Sequence, residues 1–206
     1  MGEERQAMAV AGHAVFAAGC FWCIEADLEK LEGVTEVTSG YTGGHVAEPT
    51  YEQVSQGRTG HYEAVRVAYD PQRVTYQQLL IAFWGNIDPH DAGGQFCDQG
   101  TQYRAAIFYR DPEQRAAAEA SKNALETSGA LKHTIVTPIL PATNFWPAEE
   151  RHQDYYKKNP IRYTYYRTLC GRDRRLSEIW STVDRGSILT DPDKQAHKVD
   201  NPVAKR

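Results

Sequence analysis

The apolar run Ala14-Val15-Phe16-Ala17-Ala18 passes straight into Gly19-Cys20-Phe21-Trp22-Cys23, so a short buried strand meets a helix with no linker between them. In that helix Ile24, Leu28 and Leu31 recur at helical spacing, Glu25, Glu29 and Lys30 face away, and Gly33 ends the segment. Residues 34–41 read as a second strand, broken by Gly43-Gly44 and a polar loop to Pro49. Residues 61–69 alternate, with His61, Glu63, Val65, Val67 and Tyr69 on one face and Tyr62, Ala64, Arg66 and Ala68 on the other, which is the pattern of a strand. After the Asp70-Pro71 turn, Leu79, Leu80, Phe83 and Trp84 build the apolar face of a helix ending near Gly85.

A loop from Asp88 to Thr101 carries Pro89, Gly93, Gly94 and Gly100, and its length marks it as functional rather than a mere connection. A strand over 103–109 follows, then an Ala-rich helix from Asp111-Pro112 to about Ser128 and a further strand from Ile135 to Leu140. A helix from Ala148 to about Lys158 leads into a tyrosine-rich stretch at 163–166, and a short helix spans 173–181. This mixed order predicts an α+β fold: a small mixed β-sheet covered by helices as a two-layer sandwich, with a long irregular C-terminal segment. The 206 residues suffice for one core. The expected division is an N-terminal extension over 1–12, a single domain over 13–183 and a flexible tail over 184–206, where polar and charged residues dominate.

Net charge is -4 and the Lys and Arg residues are scattered, which points away from nucleic acid and anionic membranes and toward a small neutral ligand or a peptide. No stretch approaches the roughly 18 apolar residues of a membrane span. The segment ending in Cys20 superficially resembles a lipoprotein signal, but Glu3 and Glu4 precede it and Gly12-His13 interrupt it. A soluble, cytoplasmic monomer is the expectation.

Four cysteines, Cys20, Cys23, Cys97 and Cys170, are too few for a disulfide scaffold and read as thiols that react or pack. Cys20 stands at the first turn of a helix, where free N–H groups and the helix dipole lower a thiol pKa; an inert core cysteine is the competing reading. With Cys23 it forms a Cys-x-x-Cys pair open to three readings. A zinc site would need two more ligands, yet His45, His61, His90, His133 and His152 are dispersed. A dithiol redox pair is chemically reasonable, though Phe21-Trp22 between the cysteines is bulky. In the third reading Cys20 is a nucleophile, and Phe21 and Trp22 wall an apolar pocket suited to a methyl group. Glu63 shares a strand face with Val65, Val67 and Tyr69; burial there would keep it protonated, as a general acid requires, unless the strand end frays into water. Asp98 and Tyr103 bracket the end of the glycine-rich loop and Tyr51 precedes the Glu63 strand, positions that by themselves also suit ordinary surface residues.

Several separated motifs then occur in order: Gly19-Cys20-Phe21-Trp22, Ser39-Gly40-Tyr41-Thr42-Gly43-Gly44, Pro49-Thr50-Tyr51, Thr59-Gly60-His61-Tyr62-Glu63, Asp98-Gln99-Gly100-Thr101-Gln102-Tyr103-Arg104, and Phe145-Trp146-Pro147-Ala148-Glu149-Glu150 with His152-Gln153. Together, from about residue 14 to 170, they closely resemble the methionine-S-sulfoxide reductase (MsrA) family. The resemblance implies reduction of methionine-S-sulfoxide, free or in proteins, as repair under oxidative stress. Cys20 would be the nucleophile and pass through a sulfenic acid, Phe21 and Trp22 would hold the substrate methyl group, and Glu63 would protonate the sulfoxide oxygen. Tyr51 and Tyr103 would bond that oxygen, with Asp98 acting through water. No metal or bound cofactor is implied; thioredoxin or dithiothreitol would supply electrons. Many members place resolving cysteines in a glycine-rich tail, which this chain lacks. Cys170 ranks first as resolver and Cys23 second; Cys97, beside Asp98 in the loop, is open to a packing role, and an external thiol is the alternative to any internal resolver. The rival readings are a general dithiol oxidoreductase and a peptide-binding redox sensor, neither of which gives Glu63 or the tyrosines a task.

Overall fold

Ala14, Phe16 and Ala18 on one side of the first strand and Val15 and Ala17 on the other are all buried, because that strand, β1 (Gly12–Ala18), lies inside a sheet covered on both faces. The computed structural model describes residues 11–190. Residues 1–10 of the expected extension and 191–206 of the expected tail lie outside the described residues.

In chain order β1 is followed by α1 (Phe21–Leu28), β2 (Val34–Thr42), α2 (Tyr51–Ser55), β3 (Tyr62–Tyr69) and α3 (Tyr76–Gly85). A short hairpin of β4 (Gly94–Gln95) and β5 (Asp98–Gln99) precedes β6 (Ala105–Tyr109), α4 (Pro112–Thr127), β7 (Ile139–Pro141) and β8 (Trp146–Pro147). The C-terminal part is helical: α5 (Tyr155–Lys158), α6 (Pro160–Cys170), α7 (Arg172–Trp180) and α8 (Arg185–Thr190). The six-stranded sheet runs β7-β6-β1-β3-β2-β8, antiparallel except for the β6–β7 pair. Phe16, Val65, Val67 and Ile107 face α1, α3 and α4, whose Ile24, Leu28, Leu79, Phe83 and Leu125 complete the main core. Val15, Ala17, Ala64, Ala106 and Phe108 form a smaller cluster on the opposite face with Leu140 and Phe145 against it. The α+β sandwich expected from the mixed element order is the fold observed.

Sequence rules place several helix starts. Thr50 and Thr75 each close a capping box with Gln53 and Gln78, and Asp111 caps α4 ahead of Pro112.

Four local readings are corrected. Glu25 does not face away but is fully buried, its Oε1 accepting from the Asp154 N–H at 3.2 Å. Helix α1 stops at Leu28, and Gly33, at φ +95°, instead turns the chain into β2. Residues 148–154 are not helical: the Gln153 amide accepts from the Ser39 N–H (2.9 Å) and donates to the Ser39 and Ala148 carbonyls (2.8 Å each), and Asp154 sits in the left-handed region at φ 54°. Residues 185–190, expected to be irregular, form a helix instead: α8 packs Leu189 into the core and Gln77 Nε2 donates to the Leu189 carbonyl at 2.5 Å.

The pairing of β2 with β8 positions the segment that walls the site described next, and it depends on Gly40, where a Cβ would come within 2.4 Å of the Trp146 carbonyl and 2.5 Å of the Phe145 ring. Gly40→Ala should therefore lower stability by about 1–3 kcal/mol. A lowered urea midpoint with an unchanged slope is the expected result, and an unchanged midpoint would show that β8 yields freely.

Candidate active site

Cys20 occupies the N-cap of α1 and retains 6% of its surface, Cys23 only 2%. The Cys23 N–H donates to the Cys20 carbonyl at 3.1 Å, which sets the two thiols on the first turn of α1. The first backbone N–H of α1, that of Phe21, donates to Glu63 Oε2 at 3.1 Å. Glu63 reaches this point because β3 does not fray: Tyr41 pairs with Glu63 and Thr42 with Tyr62. The alternation that set Glu63 beside Val65 and Val67 thus describes a buried carboxyl, 2% exposed.

Burial dominates the electrostatics. It pushes the Glu63 carboxyl up to about 8, against the pull of the Phe21 N–H and with help from the charges of Asp98 and Cys23. It also pushes the Cys20 thiol well above its ordinary value, assisted by Cys23, Glu63 and Asp98. A helix N-terminus was expected to lower this thiol; its leading N–H is instead occupied by Glu63. The hydrogen bond from Cys20, with Arg172 and Arg167 adding to it, brings Cys23 down to about 7 despite burial.

Tyr51 and Tyr103, from α2 and the turn before β6, come together here, and the charges of Glu63, Cys20 and Asp98 act on both. Burial raises Tyr51 to about 12 and Tyr103 above its ordinary value, so both hydroxyls remain protonated donors near neutral pH. The Tyr51 N–H donates to Glu149 Oε1 (2.8 Å) and the Tyr41 hydroxyl to Glu149 Oε2 (2.9 Å), so one carboxylate fixes two tyrosines. Asp98 is half-buried and accepts the Tyr166 hydroxyl at 2.5 Å. Desolvation lifts its carboxyl while Tyr166 and Arg172 pull it down.

Phe21 is fully buried, packed on Tyr41, Tyr51 and His152 at ring separations of 5.5–6.5 Å. Trp22 is the half-exposed wall. Tyr155 stacks on its face at 3.8 Å and Tyr166 meets it edge-on at 5.8 Å. The Trp22 Nε1–H donates to His152 Nδ1 at 3.2 Å, and Arg151 Nε stands 3.2 Å from His152 Nε2, so the imidazole is held from both ring nitrogens.

The two remaining cysteines form a disulfide, Cys97–Cys170, at the edge of this site. Cys170, ranked first as resolver, is thus bonded in this structure to the residue expected merely to pack. Among the described residues the one grouping with metal-ligand spacing is Cys97, Asp98 and Cys170, with ligand atoms within 4.8 Å of one another; the two sulfurs are spent on each other, leaving no thiolate to ligate. Sequence reading assigned no role to Arg172 or Tyr166. Arg172 is 1% exposed, donates to the Ala18 and Asn86 carbonyls (3.2 and 2.6 Å) and lies over the Phe96 ring. A charged residue directly after Cys170-Gly171 was the available signal for Arg172. For Tyr166 there was none beyond the tyrosine-rich composition.

Comparison with known proteins is consistent across sequence and structure. The family model described as peptide methionine sulfoxide reductase matches residues 12–184. Peptide methionine sulfoxide reductase MsrA of Halalkalibacterium halodurans is 53% identical over 167 residues, spanning 81% of this chain and 95% of the relative. That of Bacillus subtilis is 52% identical over 167 residues, 81% of this chain and 94% of the relative. Among solved structures, the reduced form of Mxr1 from Saccharomyces cerevisiae superposes with a TM-score of 0.67 at 31% identity, covering 75% of this chain and 88% of that one. Methionine sulfoxide reductase A of Corynebacterium diphtheriae gives 0.65 at 34% identity, covering 73% of this chain and 76% of that one.

Buried acids with raised pKa give the fold a measurable pH signature. Between the ordinary 4.5 and about 8, folded Glu63 keeps a proton that the unfolded chain has lost, and Glu25, raised to about 7 mainly by burial, behaves alike. Stability should therefore fall as pH rises through this window, by about 1.4 kcal/mol per pH unit for each such group. Glu63→Gln should remove its share, so urea midpoints at about pH 5.5 and about pH 7.5 should differ less in the variant than in the wild type. Equal differences would mean that Glu63 is solvated.

Proposed function

The chain belongs to the peptide methionine sulfoxide reductase family and reduces methionine sulfoxide to methionine, and on that premise we propose that Cys20 is the attacking sulfur, Glu63 the acid and Cys23 the resolving thiol. The observation that carries this assignment is the Phe21 N–H bond to Glu63 at 3.1 Å, which holds a buried carboxyl beside the Cys20 position.

Thiol attack on a sulfoxide sulfur is slow unless the departing oxygen is protonated, so the reaction needs an acid and hydroxyl donors around one nucleophile. Glu63 gives its proton to the oxygen while Tyr51 and Tyr103 donate hydrogen bonds to it. The Cys20 sulfur bonds to the sulfoxide sulfur as its thiol proton returns to Glu63; the protonated oxygen then passes to the Cys20 sulfur as the new S–S bond breaks, so methionine leaves and Cys20 is left as sulfenic acid. Trp22, held by His152 and Tyr155, is the wall against which the substrate methyl group rests, with Phe21 supporting it from behind. Asp98 holds the site's polar edge through Tyr166. Cys23, buried beside Cys20 on the first turn of α1, attacks the sulfenic sulfur, forming the Cys20–Cys23 disulfide and releasing water. Thioredoxin or a small dithiol such as dithiothreitol then reduces the disulfide. The S epimer is the substrate, in free or protein-bound methionine. No helix of the described residues is long and apolar enough to cross a membrane, and we place the enzyme in the cytoplasm as a monomer with residues 13–183 as its catalytic domain.

Cys20→Ser should abolish reduction of the S epimer in a racemic peptide followed by chromatography, and Glu63→Gln should slow it by roughly a hundred- to ten-thousand-fold; a fully active Glu63→Gln enzyme would remove the acid from its role. In protein that keeps the Cys97–Cys170 disulfide, Cys23→Ser should release one methionine and accumulate a sulfenic acid at Cys20 that dimedone traps, whereas the wild type gives no adduct. Absence of the adduct in Cys23→Ser would move the resolving role elsewhere.

A further inference from the structure

On the sheet face opposite Glu63, Val65 and Val67, Val15 of β1 pairs with Arg66 of β3 on one side and with Phe108 of β6 on the other. Strand alternation puts His13, two residues before Val15, and Arg110, two residues after Phe108, on that same face. The Gln114 amide bridges their backbones, accepting from the Arg110 N–H at 3.1 Å and donating to the His13 carbonyl at 2.6 Å. Three basic side chains from three chain segments thus surround one buried valine, and with Thr143 and Phe145 they line an open pocket of about 260 Å³.

No carboxylate lines this pocket. Among the described residues neither Arg66 nor Arg110 is ion-paired, unlike Arg73, Arg151 and Arg175. Arg66 lies over the Phe145 ring, its guanidinium carbon 5.2 Å from the centroid. Asp111, next to Arg110, is turned away to accept from the Gln114 N–H at 2.7 Å as the cap of α4. Glu36 of β2 accepts from the Thr38 hydroxyl at 2.9 Å. The Thr143 hydroxyl is committed to Thr42 and to the Gly43 N–H, at 3.1 and 3.0 Å. His13 Nδ1 is buried with no hydrogen-bond partner. Burial and then the two arginines hold this imidazole below its ordinary pKa, against a weaker pull from Glu36. The pocket is a local excess of donors and positive charge in a chain whose net charge is -4.

We propose that this pocket binds a phosphate group, carried as inorganic phosphate or as a small phosphate ester. Guanidinium forks match tetrahedral oxyanions, and three basic groups match three terminal oxygens, one more than a carboxylate offers. The volume lies below the roughly 300 Å³ at which pockets for drug-sized ligands begin, so the occupant is an anion or a short ester, with Val15 and Phe145 as the surface for an apolar remainder. Arg66, Arg110 and Glu36 are the charged groups that act on His13. A dianion seated among them offsets the two cations and draws a proton onto the ring. The site is independent of the sulfoxide chemistry, because none of its residues contributes to the Cys20 pocket.

Titration of the full chain with inorganic phosphate, phenyl phosphate or sulfate, at constant ionic strength made up with chloride and followed by NMR, tests the proposal. Phosphate should give saturable shifts at His13, Arg66 and Arg110 with a Kd of about 1 mM or tighter. Arg66→Gln and Arg110→Gln should each weaken it by about tenfold or more. Both variants should still reduce a methionine sulfoxide peptide at the wild-type rate, which shows that they are folded; Arg110 is exposed, so its replacement removes charge without touching the core. Tighter binding of phenyl phosphate than of phosphate identifies an ester as the occupant, and equal binding identifies the free ion. Sulfate, whose own charge is constant between about pH 5 and 8, should raise the pH at which the His13 ring titrates, and should do so less in Arg66→Gln. Shifts that grow without saturating to about 50 mM phosphate, shifts unchanged in both variants, or an unmoved His13 titration would overturn the site and leave the three groups as a solvated basic patch.

Discussion

The hydrogen bond from the Phe21 N–H to Glu63 is the constraint on which the site depends. It ties the N-terminus of α1 to the end of β3, and by occupying the leading N–H of the helix it withholds from Cys20 the donor that would stabilise a resting thiolate. The same bond only partly offsets the cost of burying Glu63, so the carboxyl stays raised to about 8 and keeps its proton near neutral pH. A buried thiol that keeps its proton beside a carboxyl that keeps its own is a poor reagent for adventitious electrophiles. In the reaction proposed above, it becomes effective when a substrate brings an oxygen able to accept the proton.

Around that bond, the wall of the pocket is supplied by one stretch of chain that contains little regular structure until α5. Residues 146–153 are fixed by β8 on β2 and by the side chains of Gln153, Glu149 and His152, which satisfy backbone or aromatic groups of β2, α2 and α1. Each of these polar side chains replaces a ladder or helix bond that a regular element would have made for itself. The positions of Tyr51 and Trp22 are thus set by residues about one hundred or more positions away, Glu149 for the first and His152 for the second.

That range of contacts explains what was legible in the chain. The strand before Cys20, the helix after it, the capped helices and the buried side of β3 follow from local spacing, and Glu63 emerged as a misplaced carboxyl on an apolar strand face. Glu25 looked equally like a solvent residue, because its partner, the Asp154 N–H, stands 129 positions on. Residues 148–158 carry a helical composition, but Gln153 and Asp154 are claimed by tertiary hydrogen bonds, and those bonds outweigh propensity. The pairing of Cys97 with Cys170 and the burial of Arg172 belong to the same class: no periodicity signals a partner that only the folded topology brings near.

With Cys20 as the attacking sulfur proposed above, its depth also selects what can be repaired. With 6% of its surface exposed and a tyrosine-lined rim around it, the sulfur meets only a side chain that can be drawn clear of its own surroundings. A methionine oxidised inside a rigid client core would have to wait for that region to open. The geometry of the pocket thereby couples the rate of repair to the local unfolding of the damaged protein, and favours the clients whose oxidation has already loosened them.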